Sequence, residues 1–292
     1  MKKNYCVTAN GPAATRWLSF VLASNKRTFV AHGSYPLDSV VNGSYESEKA
    51  LLSAPINKDA VTRGREAERF IKTTPLKELY EHFKTEFPGF ENYGCVHSFV
   101  LHELYNKPEI HEMDLTVFNL IRNPINYIAS HTKLVTDAHL FAEELHNHYS
   151  SFFEKQFLEE FESFPEQFPD FDSNNMEHRG HVLSCYTIKR QQQDLHNFEG
   201  VIDNILMEEM TSDIEYLKKY CEMITGLQYS YQSLESFISG GALNSHRRKA
   251  SSKAEDTYTN WTKLQKDIFH HILDESDLCI YKKNGYNLDF LG

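Results

Sequence analysis

Leu120-Ile121-Arg122-Asn123-Pro124-Ile125-Asn126-Tyr127-Ile128-Ala129-Ser130 continues an apolar run that begins at Leu115. Its reading decides the fold. Leu115 to Ile121 is a short, bounded apolar run of the kind expected for a buried strand, and Pro124 opens a periodic stretch that reads as a helix through Leu134. Proline suits the first helical turn, where its missing N–H costs nothing. Arg122 therefore stands at the end of a strand, and Ser130 follows eight residues later on a helix. A guanidinium offers a planar fork of donors and a serine adds a short neutral one, which together make a compact pocket for a dianionic phosphate. The structural alternative is an arginine closing a strand end and a serine within a helix. Each charge-assisted contact to a phosphate would contribute about 1.5–3 kcal/mol.

Outward from this stretch, short apolar runs alternate with longer helical ones. Candidate strands are Tyr5–Thr8, Thr28–Ala31, Tyr93–His97 and Asn204–Met207, besides Leu115–Ile121, and Thr15–Ser24 reads as the first helix. This alternation predicts an α/β fold, a mostly parallel central sheet flanked by helices. Residues 138–180 differ: phenylalanines at 141, 152, 153, 157, 161, 164, 168 and 171 lie among glutamates, before and around Pro165 and Pro169. They read as a helical insertion whose aromatic stripe packs on the core or lines a cleft. With no internal repeat and no visible boundary, 1–292 is expected to form a single domain.

A length of 292 residues with 40% hydrophobic and 24% charged residues suits a globular protein with a full core. The net charge of −11 argues against general nucleic-acid binding. Five dispersed cysteines without a C-x-x-C pair suggest reduced thiols. The first residues, Met1-Lys2-Lys3-Asn4, run straight into a strand, and no apolar span reaches membrane length. A cytoplasmic protein with no membrane anchor is the expectation.

The first strand leads into Thr8-Ala9-Asn10-Gly11-Pro12-Ala13-Ala14-Thr15-Arg16-Trp17-Leu18. Small residues let the backbone turn closely around an anion, and the N–H groups that open the next helix face it. This loop and the Arg122–Ser130 stretch resemble the two phosphate-binding segments of sulfotransferases that use 3′-phosphoadenosine 5′-phosphosulfate (PAPS). Other stretches are similar in the same order. They are Asn204 to Gly226 with its acidic turn, the basic run Asn244 to Lys249 ahead of Trp261, and the closing Asn284-Gly285-Tyr286. Asp213 or Ser212 is also a physical candidate to cap a helix there, and Gly226 to end it.

The resemblance implies a divergent member of a P-loop-like sulfotransferase fold with PAPS as sulfuryl donor and 3′-phosphoadenosine 5′-phosphate (PAP) as product. It implies that Gly11, Ala13, Ala14, Thr15, Arg16 and Trp17 bind the 5′-phosphosulfate. Arg122, Ser130, Arg247, Arg248 and Lys249 would bind the 3′-phosphate. Pro12 stands where the family carries a lysine or arginine, so Arg16 is the candidate substitute cation. His97, ending Gly94-Cys95-Val96-His97, resembles the family's catalytic histidine and is the expected general base, with His102 and Glu103 in reserve. His32 is a further strand-edge histidine with solvent as its default surroundings.

The implied acceptor is a hydroxyl or amine on a small molecule, glycan or peptide. No metal is expected: His146-Asn147-His148 and Glu177-His178-Arg179-Gly180-His181 lack the H-E-x-x-H pattern. Two rival readings are a catalytically altered nucleotide-binding relative and a nucleotide-dependent phosphotransferase. The second lacks the G-x-x-x-x-G-K-[ST] signature.

Overall fold

The computed structural model describes residues 3–53, 58–137, 164–240 and 253–291. The chain divides into two compact units, Met1–Arg122 with Gly200–Ala250 and Asn123–Glu199 with Ser251–Gly292. The 138–163 part of the expected insertion, and Arg247, Arg248 and Lys249, lie outside the described residues.

The first unit is built on a five-stranded parallel sheet in the order β2-β3-β1-β4-β5. Its strands are β1 (Lys3–Ala9), β2 (Thr28–His32), β3 (Asn92–Val96), β4 (Leu115–Ile121) and β5 (Asp203–Leu206). Helices α1 (Thr15–Ala23), α2 (Tyr45–Ser53), α3 (Lys58–Thr73), α4 (Leu76–Glu86) and α5 (Leu101–Tyr105) come from the N-terminal part of the chain. The first unit thus realises the expected α/β architecture. Both faces of the sheet are covered, which is why the strands read as continuous apolar runs and not as alternating ones. Tyr5, Val7 and Ala9 pack with Trp17, Leu18 and Phe237 in one cluster, whereas Cys6 packs with Phe29, Phe83 and Tyr93 in another.

Tyr5 shows how closely the strands are fitted. Its hydroxyl donates to the Phe29 carbonyl at 3.3 Å, so a β1 side chain reaches β2 past the intervening β3. Gly94, its partner in register on β3, makes this possible, because a Cβ there would lie 2.1 Å from a Tyr5 ring carbon. Further along, Thr8, Asn119 and Asn204 stand in register across β1, β4 and β5. Thr8 Oγ1 lies 3.0 Å from Asn119 Oδ1, and Asn119 Nδ2 donates to Asn204 Oδ1 at 2.9 Å.

The second unit is helical over its described residues. It holds α6 (Pro124–Thr136), α7 (Phe164–Gln167) and α8 (Met176–Asn197). Asn123 caps α6 by accepting from the Ile125 N–H at 3.1 Å, and Pro124 occupies the first turn as expected. Phe164 is buried and packs with Phe168 and Phe171, ring centroids 4.7 and 5.3 Å away, so this end of the aromatic stripe is core.

Returning to the first unit, α9 (Met207–Ser212), α10 (Ile214–Thr225) and α11 (Tyr231–Gly240) follow β5. Asp213 caps α10 through the Glu215 and Tyr216 N–H groups, and Gly226 ends it with φ of 70°, as the sequence predicts. Finally α12 (Ala254–Thr259), α13 (Lys263–Ile272) and α14 (Glu275–Lys283) complete the second unit. Among the described residues no helix is long and apolar enough to cross a membrane.

Candidate functional site

In the strand order β2-β3-β1-β4-β5, the chain leaves β1 toward β2 and leaves β4 toward β5, in opposite directions. The carboxyl ends of β1 and β4 therefore flank a topological switch point, the usual place for a ligand in an open parallel sheet. Reading across the sheet, the strand ends deliver His32, His97, the 10–14 loop, Arg122 and Glu208.

The loop after β1 is shaped by two left-handed residues, Gly11 (φ 76°) and Ala14 (φ 55°). Glycine takes this conformation without penalty, whereas for alanine it costs about 1–2 kcal/mol. Ala14 is the residue that precedes α1 and offers no side-chain oxygen to its first N–H groups. A helix start without a side-chain cap, approached by a tight turn of small residues, is suited to an anion. Trp17 and Ala13 are buried in the core beneath, whereas Gly11 and Ala14 are half-buried.

Arg122 is 7% exposed, and its Nη1 donates to the Pro12 carbonyl at 2.9 Å. This bond uses one of the five guanidinium N–H donors and ties the end of β4 to the loop after β1. Nε lies 4.0 Å from Glu208 Oε1 on α9, so the arginine also has a carboxylate beside it. Ser130 is half-buried on α6, in the second unit.

Arg16 sits in the first turn of α1, where its Nε is 3.5 Å from Glu48 Oε1 and its Nη1 3.5 Å from the Tyr35 hydroxyl. Glu48, on α2, is fully buried, and its Oε2 has no hydrogen-bond partner. Burial pushes its carboxyl up to about 7, and the nearby Arg16 charge only partly offsets this. Burial thus outweighs attraction within the pair.

His97 does not complete β3, as the apolar run suggested, but falls one residue past it with φ of 59°. Two contacts impose this turn. The His97 N–H donates to the Val7 carbonyl at 2.9 Å, and a Cβ at Gly33 would lie 2.2 Å from the His97 oxygen. The imidazole Nδ1 is buried without a hydrogen-bond partner. Burial lowers the pKa of the ring below the usual histidine range, with a backbone hydrogen bond at Ala9 opposing it, so the imidazole is neutral at neutral pH.

His32 is not at a solvated edge. It is buried, with its ring centroid 5.5 Å from that of His97 and 5.0 Å from that of Tyr35. Its Nδ1 accepts from the Ser34 N–H at 3.1 Å, and its Nε2 is 3.2 Å from Thr15 Oγ1. Of the histidines that sequence spacing singled out in the second unit, His146 and His148 lie outside the described residues, whereas His181 Nε2 contacts the Gln265 carbonyl at 2.9 Å and His178 Nδ1 accepts from the Asp172 N–H. Among the described residues no group of three or more His, Cys, Asp or Glu side chains could hold a metal ion.

The structure thus joins the first loop, Arg16, Arg122 and His97 at one end of one sheet. Sequence reasoning missed Glu48, Tyr35, Ser34 and Glu208. Nothing in Tyr45-Glu46-Ser47-Glu48-Lys49 marks one glutamate as buried, and Glu208 lies in the acidic turn of the Asn204 to Gly226 stretch, where nothing local marks it as a neighbour of Arg122.

No protein-family model matches the sequence, and no curated protein matches it. Among solved structures, the chain is similar to the sulfotransferase domain of the Synechococcus PCC 7002 olefin synthase, with 12% identity and a TM-score of 0.47, over 98% of this chain and 95% of that one. It is similar to the sulfotransferase domain of the curacin biosynthetic pathway, at 9% identity and a TM-score of 0.48, over 99% of each chain. A third similar structure, the mouse sulfotransferase SULT7A1 complexed with PAP, is 12% identical with a TM-score of 0.43, over 97% of this chain and 90% of that one. At these scores the likeness assigns no activity.

Proposed function

We propose that the chain is a sulfotransferase that moves the sulfuryl group of PAPS to a hydroxyl or amine of a small-molecule, glycan or peptide acceptor. The observation that carries this reading is the start of α1. A loop with two left-handed small residues leads into a helix without a side-chain cap, and buried Arg122 at the neighbouring strand end donates to that loop. These features suit a bound anion and fit the phosphosulfate end of the donor.

In this reading the N–H groups opening α1 stabilise the charge that develops on the transferring group and the leaving phosphate. The acceptor's oxygen or nitrogen forms a bond to sulfur while the bond from sulfur to the bridging oxygen breaks. PAP departs with that electron pair. The acceptor's proton passes to His97 Nδ1, a neutral nitrogen with no other hydrogen-bond partner. Arg122 and Ser130, with Arg247, Arg248 and Lys249, are assigned the 3′-phosphate from the sequence resemblance.

One observation favours a second reading, a nucleotide-binding protein with altered catalysis. Pro12 supplies no cation, and the Arg16 guanidinium is engaged by Glu48 and Tyr35. Calorimetric titration with PAP against AMP tests the nucleotide site common to both. Binding of PAP at least tenfold tighter than AMP, with a further loss of about 10- to 100-fold in Arg122→Ala, is the expected outcome. Equal or absent binding overturns it. Single turnover of labelled PAPS with a broad acceptor set then separates transfer from binding alone.

A further inference from the structure

We infer that His32 is a positioning residue that holds the Thr15 hydroxyl as a hydrogen-bond donor toward an anionic group at the start of α1. In the reading above, on which this rests for the identity of the ligand, that group is the 5′-phosphosulfate. The inference follows from where three hydrogens must be. The Ser34 N–H can only donate, and it points at His32 Nδ1, 3.1 Å away. Nδ1 therefore carries a lone pair, and the single proton of the neutral ring sits on Nε2. Nε2 is 3.2 Å from Thr15 Oγ1, so the imidazole donates and the hydroxyl accepts.

The hydroxyl's own hydrogen must then go elsewhere. Among the described residues no acceptor takes it, and Thr15 is only 7% exposed. Thr15 is the first residue of α1, directly after left-handed Ala14, where no side-chain oxygen meets the helix N–H groups. One more donor is thus buried at a place that already collects donors. Two features keep the ring in this tautomer. Burial holds His32 well below the usual histidine range, and the nearby Arg16 charge acts in the same direction. A second ring proton would also face the Ser34 N–H.

Titration calorimetry with three probes tests this: PAP, adenosine 3′-monophosphate, which lacks the 5′-phosphate, and inorganic pyrophosphate. The proteins are wild type, His32→Phe, His32→Gln, Thr15→Val and the His32→Phe/Thr15→Val double variant. Each single loss of hydrogen bonding should weaken PAP and pyrophosphate by about tenfold. The double variant should lose no more than either single one, because the two residues act as a unit. His32→Gln, which retains an N–H donor, should recover part of the loss, and adenosine 3′-monophosphate should bind all variants alike. Additive losses, or equal weakening of adenosine 3′-monophosphate, would overturn the assignment while leaving the nucleotide reading intact. Coupled losses for pyrophosphate in a protein that does not bind PAP would do the reverse. No binding of either anion by wild type refutes both. Thr15→Val is nearly isosteric and keeps the test available if His32→Phe does not fold.

Discussion

Glu48 offers a quantitative test of the electrostatics around α1. Its carboxyl is fully buried, 3.5 Å from Arg16 Nε, and burial raises it from 4.5 to about 7. A carboxyl raised in the folded state binds more protons there than in the unfolded chain. Stability from this group is therefore greatest below its unfolded pKa and falls as the pH rises through the folded value. Integrating with 4.5 unfolded and about 7 folded gives a loss of roughly 2.5 kcal/mol between about pH 5 and about pH 8. Four histidines among the described residues, buried His32, His131 and His181 and half-buried His97, act with the opposite sign. His32, His97, His131 and His181 are all lowered, the last two to about 4, so each adds stability above the usual histidine range that is lost as pH falls. Wild type alone would blend these effects, and the comparison with Glu48→Gln separates them. Urea unfolding of both proteins across this range should show the variant gaining about 2–3 kcal/mol relative to wild type toward high pH. Parallel curves would mean that Glu48 does not titrate in this window. A relative loss for the variant would mean that attraction to Arg16 outweighs burial.

Two further outcomes test the remaining parts. His97→Ala should leave PAP affinity nearly intact and lower turnover by about 100-fold or more once an acceptor is found; unchanged turnover would remove His97 from the mechanism. Gly94→Ala should destabilise by about 3 kcal/mol or more in urea unfolding, since the new methyl would meet the Tyr5 ring at 2.1 Å. The cost should shrink in a Tyr5→Leu background.

Local chemistry made part of this protein legible. The strand over Leu115–Ile121 and the helix that Pro124 opens stand where the apolar run and the proline require. The turn after β1 and the caps at Asp213 and Gly226 were readable for the same reason, because short-range backbone demands select residue types. Strand order was not readable. β1 lies between β3 and β4, and such pairings depend on residues far apart in the chain. At His97 the apolar run suggested one more strand residue, but close packing against Gly33 imposes a left-handed turn. His32 sits at a strand end with no apolar signal for burial, and only the packing of Thr15, Tyr35 and His97 around it encloses the ring. Glu48 is the extreme case, since burial of a carboxylate follows from tertiary packing alone.

The central place of β1 also bears on how the chain reaches its fold. The strand is made first, yet its partners are Asn92 to Val96 on one side and Leu115 to Leu120 on the other. A nascent chain must extend past residue 120 before both edges of β1 can pair, and one covering helix, α10, ends only at Thr225. Until then an apolar strand with at least one open edge is exposed to wrong partners, during synthesis at about 5–20 residues per second. The same late closure predicts slow, aggregation-sensitive refolding from denaturant, the cost of a sheet whose neighbours lie so far apart in sequence.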